Sequence, residues 1–519
     1  MTVKHFIIGA GAAVAVSLAA CGPQRQQKET EGEVVSLEFA PSDYRTDTLR
    51  MPSGEAVAYR AYEGIYYVGN VEDSVYQNLN IYVPVDTKGR KDSEIPILLR
   101  QYVGGYRASA AKTPSATDAT GRALQEGYVV CIPGVRGSNS VVIRDGKKVY
   151  TGVAPNGLLD LKAVVRYLRY NDARIPGNSE RIFIDGTSAG GAMSALIGTT
   201  ANREDYRSYL EAMKAADAKD NVYGAICYCP ITDLNHADME YEWLYGCTNR
   251  GVRKLDSVQC RISDELAALA PDYINSLKLR DDKGELITAD NYREYLKGFI
   301  AASAHKALEE GADIPESTGI VRLSENPFGD DGRAAPSFGP GGAAPEGKGG
   351  QRPVFNMTTD FVESVDLDKY LSYVATVQPL KTPPAFDQMG VIIPTPSPEN
   401  EVFADAAGVP ANFTDFSLEH RLHNPSDTLS AEQAKRVYLM NPMNFIGESV
   451  TADVAPKWYI RHGAKDRDTS FLVPINLATK LKNAGYDVNF FLPWNRPHSG
   501  DYNLDDLFAW IEQSMTSTR

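Results

Sequence analysis

Gly186-Thr187-Ser188-Ala189-Gly190 sets a serine between two glycines, behind the apolar run Ile182-Phe183-Ile184 and ahead of Gly191-Ala192-Met193-Ser194-Ala195-Leu196-Ile197. A buried strand, a sharp Gly-x-Ser-x-Gly turn and a helix make a nucleophile elbow. The turn forces the serine into strained backbone angles, and only small neighbours fit at the two glycine positions. It lifts the Ser188 hydroxyl off the top of a parallel sheet. It also aims the Ala189 N–H, at a helix N-terminus, toward any oxyanion formed there. The pentapeptide alone carries little weight, because a chain with 43 glycines in 519 residues meets such a pattern by chance. Its strand and helix flanks, and residues far downstream, give it meaning.

An elbow serine needs a carboxylate and then a histidine, in that chain order. Both follow late strand-like runs. Residues 457–461 lead into His462-Gly463-Ala464-Lys465-Asp466-Arg467-Asp468-Thr469, a loop with two candidate acids. Residues 487–493 lead into Trp494-Asn495-Arg496-Pro497-His498-Ser499-Gly500-Asp501, and an amphipathic helix begins beyond, with Leu504, Leu507, Phe508 and Ile511 at helical spacing. His498 thus holds the position a general base requires. Of the other six histidines, His5 lies in the leader, and His236, His305, His420 and His423 lie mid-chain in mixed helix and loop. His462 follows a strand but precedes the acids, against the expected order. Physical reasoning leaves Asp466 and Asp468 as alternatives. In this scheme His498 takes the Ser188 proton, Ser188 attacks an acyl carbonyl, and the acid fixes the imidazole tautomer. A second oxyanion donor is expected from the loop after the strand at 95–100, where the paired Gly104 and Gly105 let the backbone approach a ligand closely.

Stepping outward, strand signals at 79–83, 95–99, 129–132, 182–184 and 224–228 alternate with helical runs. One such run, 158–170, has Leu158, Leu161, Val164, Val165 and Leu168 at helical spacing. The alternation predicts an α/β-hydrolase fold, with a mainly parallel central sheet covered by helices and a large inserted lid domain. The expected organisation is a core at 41–231 containing the elbow, an inserted lid at 232–436, and the rest of the core at 437–519 with the acid and the histidine. Within the lid, residues 326–352 are rich in Gly, Pro and Ala and predict a mobile loop.

The N-terminus reads as a lipoprotein leader. Residues 1–20 combine Lys4 with an apolar, small-residue run too short for an ordinary membrane span, and Leu18-Ala19-Ala20-Cys21 has the lipobox pattern. Cys21 would become the lipidated first residue, followed by a polar, flexible tether over 21–40. This predicts an exported lipoprotein anchored to the cell envelope, touching a membrane only through its anchor. Five further cysteines remain: Cys131, Cys227, Cys229, Cys247 and Cys260. Cys227 and Cys229 read as packed thiols of one strand, and Cys247 with Cys260 as a candidate lid disulfide. No metal-site spacing, phosphate loop or cofactor motif is present. The formal net charge of −14 argues against nucleic-acid binding and fits a soluble, monomeric catalytic body.

The chain resembles the bacterial tannases, serine esterases of the α/β-hydrolase superfamily that split gallate esters. The likeness covers most of residues 75–515. It is carried by Pro96-Ile-Leu-Leu-Arg-Gln-Tyr-Val-Gly-Gly-Tyr106, Gly134-Val-Arg-Gly137, residues 154–171, Asp185-Gly-Thr-Ser-Ala-Gly-Gly191, Arg461-His-Gly-Ala-Lys-Asp-Arg-Asp-Thr469 and Pro493-Trp-Asn-Arg-Pro-His-Ser-Gly-Asp-Tyr502. The resemblance implies a triad of Ser188, Asp466 and His498. It implies that Asp468 faces the phenolic hydroxyls of the substrate, together with a lysine matching Lys381 and a glutamate matching Glu399, with Glu401 as the alternative. Carboxylates accept from phenol O–H groups and an ammonium donates to a phenol oxygen. Buried groups of this kind, left unpaired, reject acyl groups that lack the hydroxyls. The expected partner is a small phenolic ester. The competing functions are a feruloyl-type or general carboxylesterase, a peptidase, and a non-catalytic surface-binding protein of the same fold.

Overall fold

Strands β1 (Arg45–Arg50), β2 (Ala56–Tyr66), β3 (Asn78–Pro84), β4 (Ile97–Arg100) and β5 (Val129–Pro133) begin the chain. They are followed by β6 (Val141–Arg144), β7 (Lys147–Tyr150), β8 (Ile182–Thr187), β9 (Gly224–Tyr228), β10 (Ile320–Ser324), β11 (Asp360–Val365), β12 (Lys457–Arg461) and β13 (Asp487–Phe491). The computed structural model describes residues 35–246, 255–324, 360–377, 379–387, 396–422, 425, 428–447 and 453–516. Nine strands form one sheet in the order β1-β2-β3-β5-β4-β8-β9-β12-β13. From β5 to β13 every neighbouring pair is parallel, and β1, β2 and β3 extend the sheet as antiparallel strands.

The inner parallel strands are buried on both faces because helices cover both. Every residue of β4, β5, β9 and β12 is buried, as expected of a parallel sheet. The strand period of two divides them. Ile97, Leu99, Val129, Ile182 and Ile184 pack with Leu158, Val165 and Leu196. Leu98, Val130, Ile132, Phe183 and Ile226 pack with Leu124, Leu507, Phe508 and Ile511. Each such side chain, fully buried, contributes about 1.5–3 kcal/mol. The central β8 is thereby fixed between β4 and β9, and its C-terminal end is a firm base for the turn that follows. The loops after β4, β8, β9, β12 and β13 all leave the same edge of the sheet, where open α/β sheets bind their ligands.

The segment between β9 and β12 contains the helices Leu234–Tyr245, Ser257–Ser276, Tyr292–Glu309 and Leu367–Val377 and the antiparallel hairpin β10–β11. Its Tyr245, Tyr292, Ile300, Tyr370 and Leu371 share an apolar cluster with Phe471, Leu472 and Ile475, which follow β12. Tyr292 Oη donates to Asn476 Oδ1 at 2.6 Å, and Tyr370 Oη donates to the Ala464 carbonyl. The expected 326–352 loop lies outside the described residues, as does Cys247. Cys260 is a free thiol. Among the described residues no helix is long and apolar enough to cross a membrane.

Two expectations need correction. Residues 35–40, expected to belong to the flexible tether at 21–40, are held against the core. Phe39 is buried against the Tyr62 ring, 4.8 Å between centroids, and its N–H donates to Asn171 Oδ1 at 2.9 Å. Leu37 also packs on the core, its carbonyl accepts from Asn171 Nδ2 at 2.8 Å, and the Val35 N–H donates to the Gly69 carbonyl at 3.2 Å. Cys229 is not a strand residue: β9 ends at Tyr228, and Cys229 turns away at φ 36°. Its thiol donates to the Ser499 carbonyl at 3.2 Å.

Candidate active site

Ser188 joins β8 to the helix Ala189–Thr199 with φ 63° and ψ −125°, a strained conformation for a residue with a side chain. Its backbone is tied on both sides. The N–H donates to the Tyr228 carbonyl at 2.9 Å, and its carbonyl accepts from the N–H groups of Ala192 at 3.0 Å and Ile231 at 3.3 Å. Gln101 fills the hollow of the turn and donates through Nε2 to the Gly190 carbonyl at 2.5 Å. A β-carbon on Gly186 would lie 1.9 Å from that nitrogen, so only glycine fits there. Ala189 is the first helical residue, and its N–H lies in the first turn, where no intrahelical acceptor exists.

The loop holding Gly104 and Gly105 sits over this turn. Gly105 has φ 53°, and the Arg107 N–H closes onto the Gly104 carbonyl at 3.0 Å. Tyr106, next in the chain, donates from its hydroxyl to the Ile231 carbonyl at 2.6 Å, which pins the loop to the segment bonded to Ser188.

His498 reaches Ser188 from the loop after β13. Its Nε2 is 2.8 Å from Ser188 Oγ, and its Nδ1 is 2.7 Å from Asp466 Oδ2. The Asp466 carboxylate is fully buried and also accepts the Asp468 N–H at Oδ1, 2.8 Å. Burial pushes its pKa up, but His462, His498 and these hydrogen bonds outweigh that and hold it below the usual carboxylate range. For His498 burial alone would lower the pKa; the Asp466 carboxylate dominates and raises it, favouring the imidazolium. The two loops are bonded to each other by the Lys465 N–H to the Arg496 carbonyl at 3.1 Å and the Ala464 N–H to the Pro493 carbonyl at 3.0 Å. Arg100 adds a buried anchor, 2.7 Å from Asp185 in β8 and 2.5 Å from Asp501 beyond His498.

The two acids left open by sequence take separate positions. Asp466 lies under the imidazole. Asp468 Oδ2 stands 3.8 Å from His498 Nδ1, and its Oδ1 accepts from Arg467 Nη1 at 2.6 Å. His462 is buried behind Asp466, 3.6 Å away, and burial lowers its pKa against the pull of the Asp466 carboxylate. Among the described residues one trio of potential metal ligands stands close together, Cys229, Asp466 and His498, and two of the three are engaged in the relay to Ser188.

Beside the relay a cleft opens between the acid loop and the segment that joins β9 to β12. Its walls are Ile231, Leu234, Pro383, Pro384 and Phe413, and its polar groups are Asp238, Lys381, Glu399 and Asp468. Lys381 Nζ donates to Glu399 Oε1 at 2.5 Å, and Glu399 Oε2 is buried without a hydrogen-bond partner among the described residues. Burial works against the Lys381 charge, but Glu399 outweighs it and raises the pKa. Glu401 points elsewhere: it accepts from Arg107 Nη1 at 2.9 Å and Ser138 Oγ at 3.3 Å. The structure therefore brings Lys381, Glu399 and Asp468 together and leaves Glu401 outside the cleft.

Several residues that hold this site were not singled out in the sequence. Asp387 Oδ2 accepts from the Ser397 N–H and Oγ at 2.8 Å each and from Asn400 Nδ2 at 2.7 Å, which fixes the Lys381 stretch against the Glu399 helix. Tyr241 donates from Oη to the Arg467 carbonyl at 2.8 Å and accepts the Lys381 N–H at 2.9 Å. Leu234, Ala237, Asp238 and Tyr241 line the cleft at helical spacing, and that spacing was legible. An acid inside such a stripe is the signal that could have marked Asp238.

Residues 79–254 match the BD-FAE family. No curated protein matches the chain. Among solved structures, the tannase of Fusobacterium nucleatum is 34% identical over 93% of this chain and 100% of its own, with a TM-score of 0.76. The tannin acyl hydrolase of Lactobacillus plantarum is 32% identical over 92% and 99%, with a TM-score of 0.77. A tannin acyl hydrolase solved in complex with ethyl gallate is 33% identical over 92% and 98%, with a TM-score of 0.76.

Proposed function

Because the chain belongs to the bacterial tannases, we propose that it hydrolyses galloyl esters through an acyl-enzyme formed on Ser188. The observation that carries the reading is the 2.8 Å approach of His498 Nε2 to Ser188 Oγ beside a cleft containing Lys381, Glu399 and Asp468. His498 accepts the Ser188 proton as the oxygen attacks the ester carbonyl, and Asp466 stabilises the imidazolium. The tetrahedral oxyanion is held by the Ala189 N–H and by an N–H of the Gly104-Gly105 turn, each donor worth about 3 kcal/mol of barrier. His498 then gives its proton to the leaving alcohol. Water, deprotonated by the same imidazole, releases gallate.

Recognition is assigned to the polar set in the cleft. Lys381 donates to a phenol oxygen, while the free Oε2 of Glu399 and the carboxylate of Asp468 accept from phenol O–H groups. An acyl ring without hydroxyls leaves these groups desolvated and unpaired, which is the basis of rejection. The lipobox at residues 18–21 supports export and lipidation at Cys21, with the catalytic body held to the cell envelope by that anchor alone, as a monomer.

The test is kcat/KM on methyl gallate and methyl ferulate, with Ser188→Ala as control. A gallate preference is expected, together with a loss of about 10⁴-fold or more in the variant. Equal rates on the two esters, or a ferulate preference, would remove the galloyl reading. Turnover that survives Ser188→Ala would remove the serine.

A further inference from the structure

Three carboxyl groups line the cleft, and two have a role in the reading above. The third, Asp238, is 8% exposed. It sits on the helix Leu234–Tyr245, one turn from Leu234 and Tyr241, on the face that forms the cleft wall. Its Oδ2 accepts the Ala385 N–H at 2.8 Å, which fixes the side chain against the turn Pro384–Phe386. Its Oδ1 has no hydrogen-bond partner among the described residues. That oxygen is not closed off from the cleft, so a hydroxyl entering the cleft can take the place of water as its partner.

Resting on the reading of this cleft as a galloyl site, we propose that Asp238 is a fourth polar contact of the acyl ring, its Oδ1 hydrogen-bonded to a ring hydroxyl, and that it selects for hydroxylated acyl groups.

The surroundings decide which way that hydrogen bond runs. The charged and titratable groups facing Asp238 are Tyr241 and Glu242 on its own helix, Lys381 from the neighbouring segment, Glu399 from the short helix Pro398–Val402, and Asp468 from the acid loop. Burial raises the Asp238 pKa most. Glu399 and Glu242 add to this, the Ala385 N–H and Lys381 oppose it, and the group is pushed up to about 8. At neutral pH Asp238 is therefore a carboxylic acid and Oδ1–H is a donor. The cleft then offers two donors, Lys381 and Asp238, and two acceptors, Glu399 and Asp468. Adjacent phenol hydroxyls each donate and accept, and such a mixed set suits them better than acceptors alone. Above about pH 8 the donor is lost and a third negative charge appears in the cleft.

Asp238→Asn keeps the shape and a donor at every pH, whereas Asp238→Leu keeps the volume and removes the donor. The experiment measures kcat and KM for methyl gallate and methyl benzoate from pH 6 to 9.5 in the full chain and in both variants. The full chain is expected to show a gallate KM that rises above about pH 8. Asp238→Asn is expected to stay within about 3-fold of the full chain at pH 7 and to show a shallower rise than the full chain. Asp238→Leu is expected to raise the gallate KM at pH 7 by about 10-fold or more, with kcat and the benzoate KM little changed. Ionisation of the substrate's own phenols is common to all three proteins, so the difference between profiles isolates Asp238. A gallate preference that survives Asp238→Leu, or an alkaline rise as steep in Asp238→Asn as in the full chain, overturns the role of Asp238 while leaving the galloyl reading intact. A full chain that prefers benzoate overturns the galloyl reading itself. If Asp238→Leu does not fold, the Asp238→Asn profile alone decides.

Discussion

Gly500 lies so close to Thr187 that a β-carbon added to it would stand 2.0 Å from the threonine Oγ1. The loop that carries His498 therefore rests directly on the turn that carries Ser188, and the 2.8 Å bond between the two side chains depends on that contact. Gly500→Ala must push the loop away. The expected result is a fall in kcat of about 100-fold, the cost of a displacement near 1 Å at a reacting pair. The stability loss should be about 1–3 kcal/mol. Steady-state kinetics alongside thermal unfolding checks this, and a near-normal kcat would mean that the loop contact does not position the imidazole.

Lys381→Met leaves Glu399 buried with neither oxygen satisfied, since Oε2 already lacks a partner. The methyl gallate kcat/KM is expected to fall by about 100-fold, and that of methyl benzoate by much less. Measuring both esters on one preparation separates loss of ring recognition from loss of catalysis. An equal fall on both would show that the lysine supports the fold rather than the ring.

Glu240 supplies a pH-dependent stability prediction. It is fully buried, with Oε1 accepting from Asn476 Nδ2 at 2.6 Å and Oε2 unpartnered among the described residues. Burial, aided by Asp233, holds its pKa well above the usual carboxyl range against the pull of Asn476. Between the unfolded value of about 4.3 and the raised folded value, the native state keeps a proton that the unfolded chain has released. Stability should therefore decline as pH rises through that window, by up to about 1.4 kcal/mol per pH unit. Glu240→Gln is expected to flatten the decline between pH 5 and 8 in chemical denaturation. An unchanged slope would show that the carboxyl is ionised in the native state.

Lipidation at Cys21 predicts that the full-length chain expressed in a bacterium sediments with membranes and carries acyl chains detectable by mass spectrometry. Cys21→Ser is expected to move the protein to the soluble fraction with unchanged specific activity, because the anchor has no part in the cleft. An unmodified mature N-terminus would refute the lipobox reading.

Much of the catalytic frame was legible because its signals are local. Residues 129–132 and 224–228 are apolar on both faces, residues 457–461 carry Trp458, Tyr459 and Ile460 between a lysine and an arginine, and each run is a buried parallel strand. The Gly-x-Ser-x-Gly turn follows such a strand, and His498 follows the last one. The strands β1 and β2 gave no comparable signal: the residues of β1 are exposed or half-exposed, and their polar pattern reads as loop. Asp466 and Asp468 could not be separated by spacing, because which of them lies under the imidazole depends on how the loop after β12 folds against the loop after β13. The cleft was least legible. Asp238, Lys381, Glu399 and Asp468 come from distant parts of the chain, and Asp387, which fixes two of the contributing segments, resembles any polar residue in a Pro-rich stretch.

Tyr241 holds the acid loop and the Lys381 backbone with a single hydroxyl. That one phenol fixes how far the cleft proposed to hold the ring stands from the loop that carries Asp466, so any change in the one is felt by the other.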